Sequence, residues 1–231
     1  MTHRTRIKIC GLTRPEDLAG AIAAGADAVG FVFYAKSPRY IQPDAAAQLI
    51  AQIPPFVTAV GLFVNASAEE VQAVVAQTSI AMLQFHGDET VDECAAIADA
   101  VNRPFMRALR VKPDTNSADL LKYESDYRAA SRLFTGLLLD TYVDSYGGSG
   151  KVFDWSLIPE SIAPRVVLSG GLSVQNATDA VTRVRPYAVD ISSGVERDKG
   201  IKDIAKIRVF IAAVHLADSA ETAHANATQP D

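Results

Sequence analysis

Short runs of β-type residues alternate with helical patterns along this 231-residue chain, and the alternation repeats eight times. The runs fall at 6–10, 28–33, 57–64, 82–85, 105–111, 134–139, 166–169 and 188–192. Most are nearly continuous apolar segments, as expected of strands buried on both faces. A strand and a helix repeating at roughly 27-residue intervals build βαβ units and a parallel sheet. Eight units close a (β/α)₈ barrel of minimal size, an α/β fold with a single domain. A doubly wound open sheet uses five or six strands and would leave edges exposed. The barrel is expected over 1–217, with a frayed, Ala/Thr/Asn-rich tail over 218–231.

Capping residues mark several helix starts. Thr13 with Glu16 and Ser67 with Glu70 have capping-box spacing, Pro15 and Pro43 suit first turns, and Ser173 is placed to cap the seventh helix. The fifth and sixth helices are expected to be short or irregular. Residues 118–123 are few, 124–131 are polar without clean periodicity, and 155–158 leave room for about one turn before Pro159.

The formal net charge is −5 and no Lys/Arg run occurs. A nucleic-acid or membrane partner is therefore not expected, whereas a small anion bound by local positive groups remains possible. Cys10 and Cys94 are far apart and match neither a CxxC nor a zinc spacing. With no signal-peptide core near the start and no apolar run of the ~18 residues that a span needs, a reduced cytoplasm is expected. No His/Asp cluster has metal-ligand spacing, so neither metal nor cofactor is expected.

A barrel of this kind places its chemistry at the carboxyl ends of the strands. Two of these ends, Ser169-Gly170-Gly171 and Ser192-Ser193-Gly194, follow strands seven and eight, where barrels often hold phosphate. Glycines let backbone N–H groups approach an anion, and serine hydroxyls donate to it. Cys10 ends the first strand. Nearby positive groups would lower its pKa below ~8.5, and a thiolate is a competent general base. Asp140 ends the apolar run Leu137–Leu139. Desolvation there would raise its pKa, as a general acid requires. A base and an acid on separated sides of one ring suit an isomerisation, which has no net redox change.

Arg39, in the loop Lys36-Ser-Pro-Arg-Tyr40, can hold a carboxylate bidentately. His86 is either a structural histidine or a ligand contact. Lys8 and Asp190 share side-chain parity with Cys10 and Ser192 on strands that adjoin once the barrel closes, so their charges should meet inside the mouth. The Gly-rich loop Gly147-Gly148-Ser149-Gly150 is suited to closing over the site. It is not a nucleotide P-loop: Lys151 is followed by Val152, and Ser145 stands where the first glycine would be. Residue chemistry alone leaves open another sugar-phosphate isomerase or epimerase, or a barrel that binds phosphorylated ligands without catalysis.

Taken together and in order, Lys8-Ile-Cys-Gly-Leu-Thr13, Lys36-Ser-Pro-Arg-Tyr40, Leu83-Gln-Phe-His-Gly87, Leu139-Asp140, Gly147-Gly-Ser-Gly-Lys151, Leu168-Ser-Gly-Gly-Leu172, Val189-Asp-Ile-Ser-Ser-Gly-Val-Glu196 and Gly200-Ile-Lys-Asp203 resemble N-(5'-phosphoribosyl)anthranilate isomerases. The resemblance spans about residues 6–215. It implies a (β/α)₈ enzyme of tryptophan biosynthesis that carries out an Amadori rearrangement. By that resemblance Cys10 is the general base and Asp140 the general acid. Arg39 holds the anthranilate carboxylate, Asp190 lies near the same end, and Gly170, Gly171, Ser192, Ser193 and Gly194 grip the phosphate. The implied partner is a small phosphorylated substrate carrying an aromatic carboxylate, acted on by a monomer or homodimer.

Overall fold

Parallel pairing runs unbroken around the sheet of the computed structural model, which describes residues 4–141 and 152–227. The strands are β1 (Arg6–Cys10), β2 (Ala28–Val32), β3 (Thr58–Phe63), β4 (Met82–Phe85), β5 (Phe105–Val111), β6 (Phe134–Thr141), β7 (Val167–Leu168) and β8 (Ala188–Ile191). β8 pairs with β1, with Lys8 opposite Asp190, and this closes the barrel.

Side-chain alternation divides each strand between two cores. Ile7, Ile9, Leu83, Phe85, Leu137 and Leu139 face the helices, whereas Val60, Met106, Ala108 and Leu138 fill the interior. Each fully buried large apolar side chain contributes about 1.5–3 kcal/mol. Cys10 and Asp140 share parity with Lys8 and Leu138, which directs both inward.

The helices are α1 (Pro15–Ala24), α2 (Pro43–Ile50), α3 (Ala68–Gln77), α4 (Val91–Val101), α5 (Ser117–Ala130), α6 (Ala177–Val184) and α7 (Ile204–Ala227). The Ser67–Glu70 capping box forms at α3. The expected box at α1 does not. Its N-cap is Arg14 without a side-chain bond, and the Thr13 hydroxyl instead donates to the Gly200 carbonyl. α6 begins later than expected, after Asn176 rather than Ser173.

Among its described residues the sixth unit carries two 3₁₀ turns, Trp155–Leu157 and Ala163–Arg165, in line with the short, irregular helix expected there. The fifth differs from expectation, because α5 is a regular helix of 14 residues. Asn116 and Asp119 form a capping box, and Leu120, Glu124 and Tyr127 make the buried stripe. Glu124 hides that stripe from a hydropathy pattern. It can be buried because Arg128 and Arg165 both donate to its Oε1, and they hold its carboxyl below the usual range against the opposing effect of burial. The last helix continues ten residues past the expected end at Ala217, and Asp218 accepts from the backbone N–H and hydroxyl of Thr5.

Candidate active site

Lys8 Nζ donates to Asp190 Oδ1 at 2.8 Å, and both side chains are almost fully buried at 4% and 6% exposure. The meeting inferred from strand parity therefore occurs. The Cys10 thiol lies beside this pair. A side chain added at Gly30 would strike Cys10 Sγ at 2.8 Å and Lys8 Nζ at 3.1 Å, so both reach the same point of β2 from inside the barrel. Burial opposes the charge on Lys8, but Asp190 and Cys10 outweigh it and raise its pKa.

For Cys10 the balance differs from the sequence expectation. Burial pushes the thiol up, Lys8 pulls it down, Asp190 pushes it up and Lys202 pulls it down, and the net shift is upward. Positive groups are present as expected, but desolvation prevails over them.

Lys202 belongs to a feature that strand periodicity does not reveal. After β8, one 3₁₀ turn (Ser193–Val195) leads into a two-stranded ribbon, β9 (Glu196–Asp198) and β10 (Ile201–Lys202). The ribbon sets Lys202 Nζ 2.9 Å from Glu196 Oε1. Glu196 also receives both sides of the Arg39 fork, from Nε at 2.6 Å and Nη2 at 2.8 Å. Burial opposes its charge, yet Arg39 and Lys202 hold its carboxyl below the usual carboxylate range. The Arg39 stem crosses Gly11, its Cδ 2.5 Å from where a Cβ would stand, which brings it next to Cys10. Lys8, Lys202 and Arg39 thus face two carboxylates, leaving one surplus positive charge for a thiolate or a bound anion.

Of the residues expected to grip phosphate, Gly170 and Gly171 follow β7 with φ of 76° and 70°. Gly170 also has a second constraint: a Cβ there would lie 2.6 Å from Asp140 Oδ1 and 2.2 Å from the Thr141 nitrogen. Ser193 and Gly194 lie in the 3₁₀ turn. Ser192 is engaged within the protein. Its hydroxyl donates to the Cys10 carbonyl at 3.0 Å and accepts from Lys202 at 3.2 Å. Its proton is thus committed to the β1–β8 joint, and an anion at this loop would draw on Ser193 and on backbone N–H groups.

Asp140 stands at the end of β6 with its side chain 26% exposed, so the desolvation expected from Leu137–Leu139 is incomplete. Oδ1 accepts from the Thr141 N–H at 2.8 Å, and Oδ2 lies 3.0 Å from His86 Nε2. His86 therefore reaches over β5 to the acid. Behind it, Arg107 and Glu89 form a buried ion pair that also bonds the carbonyls of Phe85 and Gly87 and the N–H of Gly87, fixing the loop that carries His86. The glycine loop 147–150 lies outside the described residues.

The family model for N-(5'-phosphoribosyl)anthranilate (PRA) isomerase matches residues 7–213. This chain belongs to that family. A PRA isomerase of Herminiimonas arsenicoxydans is 85% identical over 220 residues, covering 95% of this chain and 97% of the relative. The crystal structure of the Thermotoga maritima PRA isomerase superposes with a TM-score of 0.80 at 43% identity, covering 91% of this chain and 98% of that one. A further PRA isomerase structure, in complex with reduced 1-(o-carboxyphenylamino)-1-deoxyribulose 5-phosphate, is 40% identical with a TM-score of 0.77 and covers 91% and 98%. Within the family frame, Glu196, Lys202 and Gln84 are the site-region residues to which sequence reasoning gave no role. Glu196 and Lys202 stood in matched motifs, but as charges in loops they carried no signal that they would be buried.

Proposed function

We infer that this protein is a PRA isomerase of tryptophan biosynthesis, converting N-(5'-phosphoribosyl)anthranilate to 1-(2-carboxyphenylamino)-1-deoxyribulose 5-phosphate by general acid–base catalysis. Asp140 gives its proton to the furanose ring oxygen. The C1'–O bond breaks, and the anthranilate nitrogen lone pair forms C1'=N. Cys10, as thiolate, then takes the C2' proton, and the electron pair of that bond forms C1'=C2' and neutralises the iminium nitrogen. The resulting enol tautomerises to the ketone, so the sequence is redox-neutral overall.

Arg39 has committed Nε and Nη2 to Glu196, which leaves Nη1 for the substrate carboxylate. Asp190 holds Lys8 at the same end. The loops at Gly170–Gly171 and Ser193–Gly194 receive the phosphate, with Ser192 bracing the second of them. The enzyme acts in the cytoplasm, as a monomer or homodimer.

The observation that carries these roles is the inward placement of two proton-handling side chains at the ends of β1 and β6, the sulfur beside a lysine and the carboxyl open to the mouth. The test is a fluorescence-loss assay on PRA without added metal or cofactor. Cys10→Ala and Asp140→Asn should each lower turnover by roughly 10²-fold or more. Full turnover by either variant rules out its assignment.

A further inference from the structure

We propose that Gln84 is a positioning residue: its amide fixes the tautomer of His86 and thereby keeps the Asp140 proton available to the substrate. Gln84 is completely buried in β4, and with i, i+2 spacing it faces the same way as His86. Its Nε2 lies 3.1 Å from His86 Nδ1. An amide nitrogen can only donate, so Nδ1 must be the lone-pair nitrogen of the neutral ring. The ring proton then sits on Nε2, which donates to Asp140 Oδ2 at 3.0 Å. This fixes the direction of every hydrogen bond from Gln84 to Asp140.

The amide itself has a reason to keep this orientation. Gln84 Oε1 is buried without a partner. Rotating the amide by half a turn would place its two N–H groups where that oxygen now lies. An orphaned buried N–H is rarer than an under-satisfied carbonyl, and the rotation would exchange the orphaned oxygen for one further orphaned N–H.

The consequence concerns the acid step, so the proposal rests on Asp140 being the general acid. In the reversed tautomer, His86 would present a lone pair at Nε2. The Asp140 proton would then be held by the imidazole, a better acceptor than a furanose oxygen. With Nε2–H donating instead, His86 cannot take that proton. Once Asp140 has given it to the substrate, the carboxylate left behind is met by two donors, His86 Nε2–H and the Thr141 N–H. Both bonds strengthen as negative charge develops, which is the differential stabilisation that lowers a barrier.

The test reads the tautomer directly. Long-range ¹H–¹⁵N correlation spectra of the intact protein report which imidazole nitrogen carries the proton, and a His86→Asn sample identifies the signal among the four histidines. The wild type should show Nε2–H. Gln84→Glu places an acceptor against Nδ1 and should move the proton there, with kcat falling roughly 10- to 100-fold and KM nearly unchanged. Gln84→Met, which keeps the volume without the polarity, should give a mixture of tautomers, an intermediate kcat and a native melting profile. It also covers the case in which the buried carboxylate of Gln84→Glu prevents folding. An Nδ1–H signal in the wild type overturns the proposal. So does an unchanged tautomer or unchanged kcat in a folded Gln84→Met. The outcome is separable from the assignment of Asp140, because Asp140→Asn with full turnover would remove the acid while leaving the wild-type His86 spectrum as stated.

Discussion

Cys10 and Asp140 both end barrel strands and face one mouth, yet their surroundings differ in kind. The Cys10 wall is dry and built of charges: Lys8, Asp190, Lys202, Glu196 and Arg39 pair with one another, and the Lys8–Asp190 pair is only 4% and 6% exposed. The Asp140 wall is partly open, with His86 at 18% and Asp140 at 26% exposure, and it is organised by an imidazole, an amide and a backbone N–H. A thiolate in a buried site needs compensating cations already in place, because it cannot borrow them from water. A carboxyl at the open side needs only donors aimed at it. The two residues proposed as base and acid thus sit at one mouth in unlike surroundings, one set among buried charges and the other among neutral donors.

The largest effect should come from breaking the charged wall at its centre. Lys8→Met leaves Asp190 buried and unpaired, which should cost about 3–5 kcal/mol of stability in chemical denaturation. A loss below ~1 kcal/mol would mean that the wall is solvated and the contrast overstated.

The pH dependence of Cys10 sharpens the same comparison. Only the thiolate reacts, so the rate of alkylation by iodoacetamide rises with pH through the Cys10 pKa. Because burial raises that pKa, the rise should lie above the ordinary thiol range of about 8.5. Cys94 does not compete, since burial pushes its thiol up to about 12. Bound substrate should protect Cys10 from the reagent. Alkylation already complete near pH 7 would show that Lys8 and Lys202 outweigh burial after all.

A smaller effect tests the link between the charged wall and the substrate. Arg39→Lys replaces a fork by a point charge and cannot hold Glu196 and a second carboxylate together. KM should rise about tenfold, equivalent to about 1.4 kcal/mol, with kcat little changed. An unaltered KM would place carboxylate binding elsewhere.

The smallest prediction is a control far from both walls. Ser67→Ala removes the α3 cap and should cost about 1 kcal/mol of stability with kcat unchanged. A change in kcat there would mean that helix stability and the mouth are coupled, and that the two walls are not self-contained.

Legibility from sequence followed the kind of signal each feature carries. The barrel was legible because eight buried strands write eight apolar runs. Lys8 opposite Asp190 was legible because parity and closure are geometric. The helicity of α5 was hidden because the stripe includes Glu124, whose burial depends on Arg128 and Arg165, one of them 41 residues away. The upward shift of Cys10 was hidden because a residue string reveals the presence of lysines but not the depth of burial. Glu196 and Lys202 read as loop charges, since nothing local announces the β9–β10 ribbon that folds them under Arg39.

Local pattern alone thus determined the eightfold unit, the faces of its strands and the small set of candidate site residues at their ends, because periodicity and turn chemistry are properties of neighbours in the chain. Which charge meets which, how dry each wall is, and which nitrogen of His86 faces Asp140 were decided only when the barrel closed. Those quantities depend on distances between residues far apart in sequence and on the water that closure removes.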